Sequence, residues 1–91
     1  MDQLTGVRAP IRVLLVDDSI LTLHGLKTFL STAPHIEILG IARTPSEAFD
    51  AIQAHHPDVV MLEARVGQVS RIDVCRVIRE SHPNIGVLFF T

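Results

Sequence analysis

The sequence predicts one α/β domain with a parallel sheet. Four short apolar runs alternate with three segments whose apolar residues have helical spacing, so the chain begins and ends with a strand. This alternation is typical of βαβ units, whose right-handed crossovers lay helices on both faces of a parallel sheet. Two adjacent carboxylates directly follow the first apolar run. Ligand sites of such sheets lie just beyond the carboxyl ends of the strands, so this end is the first place to look for a site.

The first predicted strand is Ile11–Val16, and Asp17 and Asp18 follow it. A run this rich in Val and Leu is typical of a strand buried on both faces. A helix is predicted over residues 19–31, with Asp18 or the first residue of the helix as its cap. Gly25 in its interior costs about 1 kcal/mol relative to Ala, so we expect a close neighbour there.

The second predicted strand, Ile36–Ala42, includes a charged residue and a glycine, which favours a position toward the sheet edge. Thr44, Pro45 and Glu47 then form a capping box that predicts the start of the second helix. Residues 55–57 end that helix. Its predicted buried face consists of Ala48, Phe49 and Ile52.

The third predicted strand covers residues 58–62 and ends in Glu63, and residues 64–69 are predicted as a loop. Residues 70–73 resemble a second capping box and predict the start of the third helix. The fourth predicted strand, residues 85–90, precedes Thr91. The apolar stripe of the third helix consists of Val74, Cys75, Val77 and Ile78.

Composition narrows the class of protein. The apolar share is 47%, the charged share 20% and the net charge -2, which favours a folded domain that does not itself bind nucleic acid. The one cysteine, Cys75, fits a reducing compartment. No stretch predicts a membrane span or a secretion signal. We therefore expect a cytoplasmic protein with a flexible tail over residues 1–10, a domain over residues 11–91 and no membrane contact.

Polar side chains at three strand ends predict a common site. Asp17 and Asp18 follow the first strand, Glu63 the third and Thr91 the fourth. Carboxylates with a hydroxyl suit Mg²⁺ and phosphoryl chemistry, in which charge neutralisation and positioning dominate. The alternative is that Asp17 and Asp18 are solvent-exposed acids in a loop. The histidines at helix ends, including His35 and His82, are predicted as caps rather than metal ligands.

The sequence resembles the receiver domain of two-component response regulators, of the NarL/FixJ type. The resemblance covers residues 11–91. Its motifs are Ile11-Arg12-Val13-Leu14-Leu15-Val16-Asp17-Asp18, His24-Gly25-Leu26, Ile38-Leu39-Gly40-Ile41-Ala42, Ser46-Glu47-Ala48, His56-Pro57-Asp58-Val59-Val60-Met61-Leu62 and His82-Pro83-Asn84-Ile85.

The resemblance implies a flavodoxin-like parallel sheet of order 2-1-3-4 and a non-enzymatic role in phosphorelay signalling, with a sensor histidine kinase or another signalling protein as partner. It also implies the site. Asp17 and Asp18 match the acids that hold Mg²⁺, together with Glu63 and the backbone carbonyl of Arg65. Thr91 matches the hydroxyl that contacts the phosphoryl group and switches on activation. Glu63 stands at the phosphoacceptor position.

The sequence departs from the receiver pattern in three places. The acceptor of receivers is Asp, whereas this chain has Glu63. Gly67 and Arg71 stand where the family has Pro and Gly. The 91 residues also stop before the family's fifth strand, with its phosphate-binding Lys, and the last helices. The helix-turn-helix of NarL/FixJ regulators lies outside these residues, so DNA binding is expected only of a longer parent.

These departures predict an atypical receiver that does not accept phosphate in normal use and acts through protein contacts. One alternative is an ordinary Mg²⁺-dependent receiver that is phosphorylated on Glu63. A phosphatase of the haloacid-dehalogenase class fits poorly, because it needs two Asp separated by one residue, and Asp17 and Asp18 are adjacent. A dinucleotide-binding module fits poorly because no glycine-rich turn follows the first strand.

The fourth strand predicts self-association. Residues 85–90 are apolar on both faces, which is typical of an interior strand. Without a fifth strand its outer edge offers unpaired backbone groups, so we expect a homo-oligomer through this edge. A partner protein that adds a strand is the alternative.

Overall fold

A computed structural model of the chain describes residues 9–17, 19–62, 65–66 and 69–89. Its strands are β1 Ile11–Val16, β2 Ile36–Ala42, β3 Val59–Leu62, β4 Arg65–Val66, β5 Val69–Ser70 and β6 Gly86–Phe89. Its helices are α1 Ile20–Leu30, α2 Pro45–His55 and α3 Arg71–Ser81. Within these ranges no helix has the length and apolar character needed to cross a membrane. Most of the predicted tail, residues 1–8, lies outside the described part.

The main sheet is parallel, with the strand order β2-β1-β3-β6. β6 is the strand predicted as the fourth, so the predicted order 2-1-3-4 is confirmed. β2 lies at one edge, as its charged and glycine residues predict. The order reverses between β1 and β3, which makes the carboxyl ends of these two strands the switch point of the sheet.

Alternate residues of β1 enter two separate cores, because successive side chains of a strand point to opposite faces. Leu14 and Val16 pack under α2 and α3, whereas Val13 and Leu15 pack under α1 with Leu23. The predicted face of α2 is confirmed, with Ala48 and Ile52 fully buried and Phe49 packed against the core. β1 is therefore held from both sides, and its carboxyl end is fixed in place.

Side-chain caps start the first two helices as the sequence predicts. The Ser19 hydroxyl accepts a hydrogen bond from the Thr22 N–H at 3.3 Å, and the Thr44 hydroxyl accepts one from the Glu47 N–H at 3.1 Å. The Glu47 carboxylate, however, accepts from the N–H of Arg43 at 2.8 Å, one residue before the cap. In a capping box this carboxylate would accept from the N–H of the cap residue, Thr44. The predicted second bond of the box is therefore made one residue earlier, at Arg43.

The prediction that Gly25 has a close neighbour is wrong. Among the described residues, no atom lies within 4 Å of a Cβ placed on Gly25, so this part of the chain leaves the position open. Two apolar side chains of the same helix are also exposed, Leu21 at 83% and Phe29 at 73%.

The predicted loop over residues 64–69 is wrong where the structure describes it. β4 and β5 form an antiparallel hairpin in which Arg65 pairs with Ser70 and Val66 pairs with Val69. The physical reason is a pair of β-branched residues around Gly67-Gln68, a short spacer that suits a tight turn. α3 begins directly after β5, at Arg71. The predicted cap by the Ser70 side chain lies outside the described features.

Candidate functional site

Asp17 lies at the carboxyl end of β1 and is 1% exposed. Its Oδ1 accepts a hydrogen bond from the Ser19 N–H at 3.1 Å, and its own N–H donates to the Ala42 carbonyl at 3.0 Å. These bonds join Asp17 to the end of β2 and to the start of α1. For Asp17 the solvated-loop interpretation is therefore wrong. A carboxylate is rarely buried unless hydrogen bonds, an opposite charge or a metal ion compensate for its lost hydration.

The strand register aligns the carboxyl ends of the three strands β1, β3 and β6. Val16 of β1 pairs with Leu62 of β3, and Leu62 pairs with Phe89 of β6. The next residue in the chain after Val16 is Asp17, and the next after Leu62 is Glu63. The chain thus enters position 63 from a strand end that is paired with the strand end leading into Asp17.

Three of the predicted site residues lie outside the described part of the structure, namely Asp18, Glu63 and Thr91. Their roles as metal ligand, phosphoacceptor position and switch hydroxyl stay predictions. Arg65, the predicted backbone ligand, lies in β4 and pairs with Ser70. The hairpin therefore fixes the backbone two residues beyond the acceptor position, a constraint that the predicted loop would not supply.

The described candidate ligands are oxygen atoms, which suits Mg²⁺. Carboxylate and backbone carbonyl oxygens are the ligands that Mg²⁺ prefers, and Asp17 and Arg65 are predicted to offer one of each type. Over residues 9–17, 19–62, 65–66 and 69–89, no group of three or more His, Cys, Asp or Glu side chains gathers closely enough to hold a metal. A metal site here thus depends on the predicted ligands Asp18 and Glu63.

The hairpin is the feature of this region that sequence reasoning missed. The available signal was Val66-Gly67-Gln68-Val69, in which a glycine-containing pair separates two β-branched residues. The two short strands contact α3, which follows them. The hairpin thus connects the end of β3, beside the candidate site, to the start of α3.

Comparison with known families agrees with this architecture. The model of the response regulator receiver domain matches residues 13–91. A protein-glutamate methylesterase/protein-glutamine glutaminase of Pyrococcus abyssi is 39% identical over 80 residues, which are 88% of this chain and 21% of that protein. The DNA-binding transcriptional activator DevR/DosR of Mycobacterium tuberculosis is 31% identical over 81 residues, which are 89% of this chain and 37% of the activator. The chain thus spans well under half of these relatives.

Solved structures show the same fold. The signal receiver domain of NarL from Mycobacterium tuberculosis superposes with a TM-score of 0.82 and 28% identity, over 90% of this chain and 66% of that one. The response regulator domain of Thermotoga maritima CheB gives a TM-score of 0.80 and 28% identity, over 88% of this chain and 59% of that one. The family match, the strand order and the position of Asp17 agree, and the chain belongs to the response regulator receiver domain family.

Proposed function

We propose that this receiver is atypical, in that it transmits signals through protein contacts and is not phosphorylated at Glu63 in normal use. The observation that carries the proposal is the glutamate at the acceptor position. Glu63 follows β3 in the chain as Asp17 follows β1, and the last residues of these two strands, Leu62 and Val16, are paired. A two-component signalling role follows from the family. The absence of phosphorylation is the specific claim for this chain.

The extra methylene of glutamate gives the physical reason. Phosphoryl transfer to a carboxylate depends on placement of the reacting oxygen to a fraction of an ångström. Asp17 has hydrogen bonds at both its backbone and its side chain, which oppose a shift that would accommodate a longer side chain at position 63. Glu63 would place its carboxylate toward the position of the phosphoryl group, and would imitate its charge with fewer acceptor oxygens.

Mg²⁺ would be held by the Asp17 and Asp18 carboxylates, by the carbonyl of Arg65 and by Glu63. When bound, the ion neutralises negative charge at this edge of the sheet. We expect weak affinity, because Glu63 either joins the ligands or crowds them. The support for a cation here is the position of the Asp17 carboxylate at the carboxyl end of β1, beside the switch point of the sheet.

The experiment compares the parent with Glu63→Asp after incubation with a small phosphodonor and Mg²⁺. The variant restores the family's acceptor, so we expect slow labelling of Glu63→Asp and none of the parent. Slow transfer is expected because the one lysine of the 91 residues, Lys27, lies in the last turn of α1 and not after a strand. Labelling of both proteins at equal rates would support the alternative of an ordinary receiver that uses Glu63.

The relatives suggest two kinds of longer parent. DevR/DosR is a DNA-binding activator, and other matched proteins are methylesterases. The resemblance to the NarL/FixJ type favours a transcription regulator, with a sensor histidine kinase or another signalling protein as the input partner. No catalytic role is assigned to the 91 residues, and a cytoplasmic location stays a prediction.

The outer edge of β6 supports self-association of the 91-residue chain. Among the described residues, β6 pairs only with β3, and Leu88 is 55% exposed. Residues 83–89 include no charged side chain, so the edge lacks the charges that commonly block strand addition. A second copy would present the same uncharged edge, and two-fold symmetry would pair the β6 strands antiparallel.

A further inference from the structure

The main sheet has two outer edges, and their backbones differ. β2 forms one edge and β6 forms the other. An edge strand presents unpaired N–H and C=O groups along its outer side, and these groups can pair with a strand of another chain. How far an assembly of this chain can grow therefore depends on whether one edge can pair or both can.

β2 contains one residue more than its pairing with β1 requires. Val13 of β1 pairs with Ile38, whereas the next residue, Leu14, pairs with Gly40. Leu39 is skipped in this register. An extra residue of this kind interrupts the ladder locally, bends the strand and increases its twist. The seven residues of β2 are thus divided into two regular stretches of three residues, one on each side of Leu39.

The side chains of β2 that enter the core show the same extra residue. In a regular strand, side chains that share a face are two residues apart. Ile36 and Ile38 have this spacing in the core under α1, but the next side chain of β2 in that core is Ile41, three residues after Ile38. The shift is therefore required by the packing of β2 and is not a feature of its outer side alone.

The first of the two stretches of β2 also carries a charge. Glu37 lies at its centre and is exposed. Bulges and charged side chains both disfavour the addition of another strand to an edge. β6 has neither feature, because its four residues pair with β3 without a shift and include no charged side chain. Strand addition is thus disfavoured at β2 and unopposed at β6.

We propose that the edge of β2 is closed to strand addition, so that assembly through β6 stops at a two-fold dimer. This inference rests on the self-association through β6 proposed above. If both edges could pair, each added copy would present a new free edge, and the sheet would continue into a filament. With β2 closed, a pair of β6 strands leaves no edge for a third copy. The partner that this surface fits is one second copy of the chain.

Sedimentation velocity of the parent from tens to hundreds of micromolar tests the closure without any substitution, because the populations of oligomers depend on concentration. We expect one species of twice the chain mass at the upper concentrations. Species that grow beyond the dimer as the concentration rises would overturn the closure of β2. A chain that stays monomeric would contradict the pairing of β6 and leave β2 closed, so the two failures are distinct.

Variants on a Leu88→Lys background test the edge of β2 alone, because the lysine disfavours pairing of β6. Deletion of Leu39 together with Glu37→Thr removes the extra residue and the charge, and keeps the isoleucines of β2 on the face that they share. We expect this chain to dimerise at hundreds of micromolar. The control Leu39→Ala keeps both the extra residue and Glu37, and should stay monomeric.

Circular dichroism establishes whether each variant is folded. A folded deletion variant that stays monomeric would overturn the proposal, because neither the extra residue nor the charge would then be what closes β2. A Leu88→Lys chain with intact β2 that dimerises would overturn it as well. If the deletion prevents folding, this intact chain decides the matter, since a monomer supports a closed β2 and a dimer contradicts it.

Discussion

Asp17 is the residue on which the predicted metal site depends most. It is buried at the carboxyl end of β1, its carboxylate accepts a hydrogen bond from the Ser19 N–H, and its own N–H donates to the Ala42 carbonyl. Replacement of Asp17 and Asp18 together by Asn should abolish stabilisation by Mg²⁺. A ligand at ten times its dissociation constant stabilises a fold by about 1.4 kcal/mol, which a thermal melt with and without Mg²⁺ detects.

The matched control for that double variant removes two acids elsewhere. Asp50→Asn with Glu80→Gln changes the net charge equally at exposed positions. This control should keep the rise in melting temperature with Mg²⁺. An equal rise in the Asp17 and Asp18 variant would show that Mg²⁺ binds elsewhere on the chain.

The sequence predicts contacts between residues that are close in the chain better than contacts between distant residues. The Thr44 cap depends on residues three positions apart, so its pattern is visible in the sequence. The contact of Arg12 with His55 and His56 is different, because it joins residues that are distant in the chain and adjacent only in the folded sheet. No local pattern contains that information. The sequence likewise predicts that Asp17 follows a strand, but not that its carboxylate is buried.

At the scale of elements, α1 is less constrained than its sequence suggests. Gly25 lies in the interior of the helix, and no described residue approaches the place where a Cβ would stand. Gly25→Ala should therefore raise the free energy of unfolding by about 0.5–1 kcal/mol, because alanine loses less conformational entropy in a helix. Urea denaturation measures this change directly. A loss of stability would show that a close neighbour does limit this position.

The long elements were predicted well and the short ones were not. Three helices and four strands have enough residues for a clear apolar period, and the structure confirms their order and the edge position of β2. β4 and β5 have two residues each, too few for any period. The hairpin was detectable only through its turn residues, and the sequence departs from the usual receiver pattern there, at Gly67.

At the scale of the whole molecule, the proposal concerns association through the edge of β6. We expect the 91-residue chain to form a dimer at tens of micromolar, and Leu88→Lys to shift it to monomer, because the two new lysines would repel each other and disfavour pairing. Leu88 is a better target than Val87, which packs against the core. Light scattering after size-exclusion chromatography measures both proteins.

The control for the edge is Leu21→Lys, which places the same charge on the exposed face of α1. It should leave the dimer intact. Dissociation by Leu21→Lys and not by Leu88→Lys would move the contact to the helices. A monodisperse, folded monomer of the parent would contradict association through β6.

The central claim is that this receiver signals without phosphate on Glu63. The most direct measurement is the intact mass of the parent chain after incubation with a small phosphodonor and Mg²⁺, followed by peptide mapping. The account predicts an unchanged mass at Glu63, because the longer side chain would misplace the reacting oxygen relative to the carboxylate of Asp17. Rapid, stoichiometric gain of one phosphoryl group that maps to Glu63 would contradict it.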